Sequence, residues 1–256
     1  MANKINYQYR ITKYNPDLRN LNGEYTKEEW ISPTQIGRSF DGKVFTIKDY
    51  LQVEKAYIDT VISFIKESKS KSLRVIQLER NNKLLQDESS ELFEEKFKNI
   101  VLEEDLLVNE TEITIICKMV LRDYIYCHLI SSSNFFVHFA SDYYMFIGSN
   151  QPCSNAVHFA RTNNLFVEEY QSPYYLTEED IIRMVEWSAK NEEIVLGEEK
   201  LSNVPLKEIR KALNLSEEHP VVGSFPINSE NKDVFQKYIK HKFDFSKHNY
   251  YLWSGS

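Results

Sequence analysis

Glycine is scarce in this chain, 7 of 256 residues. Loops that hold backbone close to a phosphate or a dinucleotide draw on glycine, so those sites are disfavoured and no cofactor is expected. Cysteine is sparse too. Cys117, Cys127 and Cys153 form no CxxC pair and are odd in number, which argues for a reducing compartment over a disulfide framework. No metal site is expected. No apolar run reaches membrane-spanning length, and the opening MANKINYQYRITKY has no signal-peptide core. The expectation is a cytoplasmic protein with no membrane association.

Basic residues are in deficit, 31 against 38 acids, for a net charge of −7. Phosphate neutralisation needs clustered Lys and Arg, so nucleic acid is disfavoured as a partner. The acids concentrate in residues 87–112 and 168–199, each with ten acids against two bases. Such blocks are solvated helix faces or a surface for a basic protein. Aromatics are abundant, with 16 Tyr and 15 Phe, which fill a core or supply an interface.

Periodicity predicts an α+β fold, a mixed or mostly antiparallel sheet packed with helices. Strands are expected at 5–14, 72–80, 124–130 and 135–147, and near the C-terminus at PVVGSFPI and YYLW. Helices are expected over 46–66, opened by a Thr46/Asp49 capping box, over 88–108, from about 110, from Ser154, from Thr177, over 204–214 and over 229–241. A boundary near 108 would give an N-terminal region 1–108 and a C-terminal region 109–256, although no flexible linker marks it and one domain is equally consistent.

The tetrapeptide Val-His-Phe-Ala occurs at 137–140 and 157–160. The first copy reads as strand and the second as helix, so the repeat is a coincidence of letters. If Ser131 opposes Asn134 across a hairpin turn, His138 faces Cys127 and Asp142 faces Asp123; a one-residue slip sets His138 against His128. A Cys–His pair could support thiolate chemistry and two histidines could begin a metal site. Cys127, His138 and Asp142 are therefore the catalytic candidates, with packed structural residues as the alternative. Between the two copies a strand end meets a helix start, where free N–H groups gather. Ser149, Asn150, Cys153, Ser154 and His158 are the candidate ligand-binding residues there. Glu54 falls in the apolar stripe of helix 46–66 and needs a partner, for which Arg10, Lys13 or Arg74 are available.

The segments YRITKYNPDLRN, NGEYTKEEW and VEKAYIDTVISF, with VHFASDYYMFIGS further on, resemble an uncharacterised protein group of Bacillus-like bacteria and phages. The resemblance implies origin alone and carries no activity or functional residue. In composition the chain is also similar to bacterial immunity proteins. Two functions follow as expectations. One is a non-enzymatic protein-binding protein of immunity or inhibitor type, taking a basic partner on an acidic, tyrosine-bearing surface. The other is a small-molecule-binding or hydrolase-type protein using the 148–158 junction with His138 and Cys127. A self-assembling homo-oligomer is a third.

Overall fold

The β-branched and aromatic run after Ile5 forms β1 (Tyr7–Thr12). After a small hairpin of β2 (Ser39–Phe40) and β3 (Lys43–Val44) comes α1 (Ile47–Ser68). The expected Thr46/Asp49 capping box opens it, and Lys69 in the left-handed region closes it. The unit continues with β4 (Leu73–Arg80), α2 (Asn82–Leu85), α3 (Lys96–Asn99), β5 (Leu107–Val108) and α4 (Glu110–Leu121). It closes with β6 (Ile125–Ser131), β7 (Phe135–Phe139), β8 (Met145–Ser149), α5 (Ser154–Thr162) and β9 (Phe166–Glu169). This is a computed structural model, and it describes residues 5–131, 134–190 and 194–256. Ser132 and Ser133 of the expected hairpin turn lie outside the described residues.

Seven strands form one antiparallel sheet in the order β5-β4-β6-β7-β8-β1-β9. Helices α1, α4 and α5 cover one face, burying Tyr57, Val61, Phe64, Ile116, Val137 and Ile147. The α+β expectation holds. The chain divides into compact units at Tyr174/Tyr175. No break falls at 108, because β4 pairs with β5 on one side and β6 on the other.

Two elements differ from expectation. Of the helix at 88–108 only α3 forms, and Val101 is exposed. The strand at 135–147 is instead the tight hairpin β7–β8. Asp142 and Tyr143 at its tip both have positive φ, the requirement of a type I′ turn. That conformation disfavours a tyrosine, and burial offsets the cost. The Tyr143 hydroxyl donates to the Leu121 carbonyl and lies 2.8 Å from Tyr50 Oη, and its own carbonyl accepts from Tyr57 at 2.6 Å. Much of the tyrosine excess is spent in this way, with Tyr9, Tyr14, Tyr50, Tyr57, Tyr124 and Tyr143 all buried.

Gly148 is required by a close approach. A Cβ there would overlap the ring of Phe136 on the neighbouring strand. Gly148→Ala is expected to destabilise this unit by about 1–3 kcal/mol, read from a urea titration; an unchanged midpoint would contradict it.

The C-terminal unit is a four-stranded antiparallel sheet. Its elements are β10 (Ile182–Ala189), β11 (Val195–Lys200), α6 (Leu206–Leu213), β12 (Gly223–Ile227), α7 (Lys232–Phe235) and β13 (His248–Gly255). The order is β11-β10-β13-β12. Val185, Phe225, Tyr250 and Leu252 form a core with Ile209 of α6 and Phe235 of α7. The helix expected from Thr177 is absent. Thr177 and Asp180 do form their box, with the Thr177 N–H donating to Asp180 Oδ2 at 2.9 Å, but it folds a turn that leads into β10. The helix expected over 229–241 shortens to α7.

Candidate functional site

The β6–β7 register takes the slipped alternative: His128 pairs with His138, not Cys127 with His138. Cys127 lies fully buried in the core, and burial pushes its thiol well above the ordinary range. Cys117 is buried likewise. His138 and His128 stand on the sheet face away from the helices, ring centroids 4.6 Å apart. His138 Nδ1 lies 2.8 Å from Ser172 Oγ, and His128 Nε2 lies 2.9 Å from Tyr126 Oη. Phe136 stacks on His138, and Tyr174 packs over both imidazoles. Burial holds His138 well below the usual imidazole range and His128 down at about 3, so both rings are neutral. Asp142 is on the exposed hairpin tip, apart from them. The three catalytic candidates are not brought together.

The 148–158 junction is closed. Ser149 and Cys153 are each 1 % exposed, and Cys153 Sγ is 3.6 Å from Ser149 Oγ. Tyr9 Oη donates to the Pro152 carbonyl at 2.7 Å. The start of α5 does attract an anion, and the chain supplies it. The Glu67 carboxylate accepts the Asn155 N–H at 3.2 Å and the Ala156 N–H at 2.8 Å. Asn150 is tied back by its N–H to the Asn134 carbonyl, and Ser154 and His158 face solvent. The five do not converge, since Ser149 and Cys153 are buried while Ser154 and His158 are exposed.

The acidic blocks separate once each carboxylate is traced. In residues 87–112 most carboxylates are committed to the fold, Glu91 and Glu103 excepted. Asp105 pairs with Arg74, Glu88 with Lys98 and Glu110 with Lys66. Glu104 accepts the N–H groups of Gln77 and Leu78, and Glu112 completes the α4 capping box with Asn109. Glu94 binds Lys96, Lys118 and Arg122; burial pulls its carboxyl upward, yet these cations hold it at about 2.

The second block is different. Glu168 is held by Arg10 and Arg19, Glu178 by Arg183, and Glu199 by the N–H groups of Lys240 and His241. Glu169, Glu179, Glu186 and Glu198 have no ion-pair or hydrogen-bond partner among the described residues, and of these only Glu186 and Glu198 face each other. They are direct cross-strand partners on β10 and β11. Burial raises the Glu186 carboxyl, and the Glu198 charge raises it further.

Strand alternation places these carboxylates on the sheet face opposite α6 and α7. Two rows of side chains cross it. One runs Glu198, Glu186, Tyr251, Pro226, and the next runs Lys200, Met184, Trp253, Ser224. Trp253 lies along the face over Gly255, where a Cβ would come within 3.0 Å of the indole. Ile182 and Tyr251 are exposed, and so is the apolar run Ile194, Val195, Leu196 at the β11 end. No helix covers this side within the unit. The sequence held the signal, since IRMVEWSA and NYYLWSG alternate two ways, but the expected helix from Thr177 hid the first strand.

No helix among the described residues is long and apolar enough to cross a membrane. The chain matches no curated protein and no solved structure. Residues 182–253 match the model of a family described as a domain of unknown function, DUF7683, a span that runs from the start of β10 into β13 and takes in all four strands of the C-terminal sheet.

Proposed function

We propose that this chain is a non-enzymatic protein-binding protein that captures a basic partner on the open face of its C-terminal sheet. Immunity- or inhibitor-type neutralisation of a basic toxin or defence enzyme, in a bacterial or phage setting, is the role such a face suits. The observation that carries the reading is the Glu186–Glu198 pair. Like charges directly across an antiparallel ladder destabilise the sheet, and among the described residues none pairs with these two. A lysine or arginine from a partner would do so, with Tyr251, in the same row, offering its ring to the cation. The small-molecule or hydrolase alternative loses support because its junction is closed and His138 is buried.

Stability and binding are expected to move in opposite directions. Glu186→Gln should raise the stability of the C-terminal unit by about 0.5 kcal/mol, from relief of the cross-strand repulsion. The same change, combined with Glu198→Gln, should weaken binding of an alternating arginine–valine peptide about tenfold at low salt. Calorimetric titration at two salt concentrations reads the second effect, and equal affinity for the wild type and the double variant would sink the proposal.

A further inference from the structure

We infer that the partner enters as an extended strand added antiparallel to the free edge of β11, with a basic residue opposite Glu198. This rests on the proposed use of the face and adds how the partner is held. β11 is the outermost strand of its sheet, paired with β10 alone. The Leu201 N–H donates to the Arg183 carbonyl at 2.8 Å, which fixes the phase of the ladder. Leu201, Glu199 and Gly197 turn their backbone groups toward β10. By alternation, the N–H and C=O groups of Glu198 and Lys200 point away from the sheet.

The same two residues carry side chains on the open face, Glu198 beside Glu186 and Lys200 beside Met184. Backbone donors, backbone acceptors and the unneutralised charge therefore meet at one edge. An added strand would pair with Glu198 and Lys200, and charge complementarity sets its sequence. Running antiparallel, it carries an acid opposite Lys200 and, two residues later, an Arg or Lys opposite Glu198. The cation then lies against both carboxylates in the row. An apolar residue follows, toward Leu196, which is 54 % exposed where a register shift ends the regular ladder.

A second copy of this chain fits less well. Set with Glu198 of one copy opposite Lys200 of the other, two β11 edges meet the same pattern, but four carboxylates, Glu186 and Glu198 from each copy, then share one face with only two lysines. The opposite edge of the sheet is less suited to any added strand, because Pro226 on β12 lacks an edge donor.

The test uses two peptides of one composition, Val-Glu-Val-Arg-Val-Leu and Val-Arg-Val-Glu-Val-Leu, titrated into the full chain. The first is expected to bind about tenfold tighter and to slow hydrogen exchange at the Glu198 and Lys200 amides. N-methylation of its arginine, whose N–H would meet the Glu198 carbonyl, should abolish binding, whereas N-methylation of the valine before it should not. Binding without protection at these amides, or equal affinity of the two N-methyl peptides, overturns strand addition and leaves side-chain capture on the face standing. If neither these peptides nor the arginine–valine peptide bind, both readings fall. Protection that depends on protein concentration without peptide makes a second copy the occupant and overturns the inference.

Discussion

Arg122→Ala is expected to lower the stability of the N-terminal unit by about 3–5 kcal/mol. Arg122, just past the end of α4, and Glu54, on α1, have side chains only 3 % and 4 % exposed. The guanidinium reaches the carboxylate through two bonds, Nε to Oε2 at 2.6 Å and Nη2 to Oε1 at 2.7 Å. Its remaining nitrogen reaches the Leu92 carbonyl at 2.5 Å and Glu94 at 2.8 Å. One side chain thus joins α1, α4 and the irregular stretch before α3. Truncation leaves Glu54 buried without a counter-charge, which costs far more than the net worth of the intact pair. Trp30 is the tryptophan of this unit, so unfolding is best followed by its fluorescence in a Trp187→Phe/Trp253→Phe background. The paired change Glu54→Leu/Arg122→Met should recover most of the loss, since it leaves no orphaned charge. A loss below about 1 kcal/mol for Arg122→Ala would mean that water reaches the pair.

Glu54 marks how far the sequence could be read. Its place in an apolar stripe announced a buried carboxylate and a partner, and both are present. The partner is none of Arg10, Lys13 or Arg74. Arg10 and Arg74 neutralise Glu168 and Asp105, and the guanidinium that meets Glu54 arrives from 68 residues away. Periodicity gives the face of a helix, but only packing of two helices decides which cation enters. The same division holds elsewhere. Local signals placed α1, α4, α5 and most strands, because caps and alternation act over a few residues. The β7–β8 turn was missed because Asp142-Tyr143 is no turn dipeptide; its positive φ values are stabilised by hydroxyls from α1. The Thr177–Asp180 bond starts no helix, since the same side-chain contact also closes a turn.

The candidate site was legible only in part. Charge counting found two acidic blocks and could not separate them, because ion pairing depends on which lysine folds onto which glutamate. Pairing and strand register together move the functional expectation from a diffuse acidic surface to two unpaired carboxylates that face each other, Glu186 and Glu198. Tyrosine, read as an interface residue, divides likewise. Most of the buried hydroxyls bond to backbone carbonyls or to one another, and Tyr251 is the exposed one that shares a row with the two carboxylates.

The buried histidine pair should make the N-terminal unit sensitive to acid below about pH 6.5. Burial lowers the folded-state value of His128 to about 3, and lowers that of His138 through burial and the neighbouring His128. An unfolded histidine titrates near 6.5. Stability from these groups is therefore fully present above about pH 6.5, and it is lost as pH falls toward the folded values, because only the unfolded chain takes up protons there. The slope is about 1.4 kcal/mol per pH unit for each ring, so the two together should cost about 4 kcal/mol between pH 7 and pH 5. Glu94 and Glu168 have lowered folded values, so their contributions fade only below the ordinary carboxylate range, whereas burial raises the Asp123 carboxyl, which takes up its proton first in the folded chain and opposes the loss. The groups around the rings, Tyr126, Tyr174 and Ser172, bring no charge that could stabilise an imidazolium. His128→Phe should halve the slope and, by removing a ring whose Nδ1 is buried without a partner, leave the unit no less stable at pH 7. Because His138 holds Ser172, whose N–H donates to Gln8 Oε1 at 2.9 Å, acid should loosen residues 170–174 first. Hydrogen exchange at the Ser172 amide should then quicken before global unfolding, and a stability profile flat from pH 7 to pH 5 would show that the pair is already hydrated.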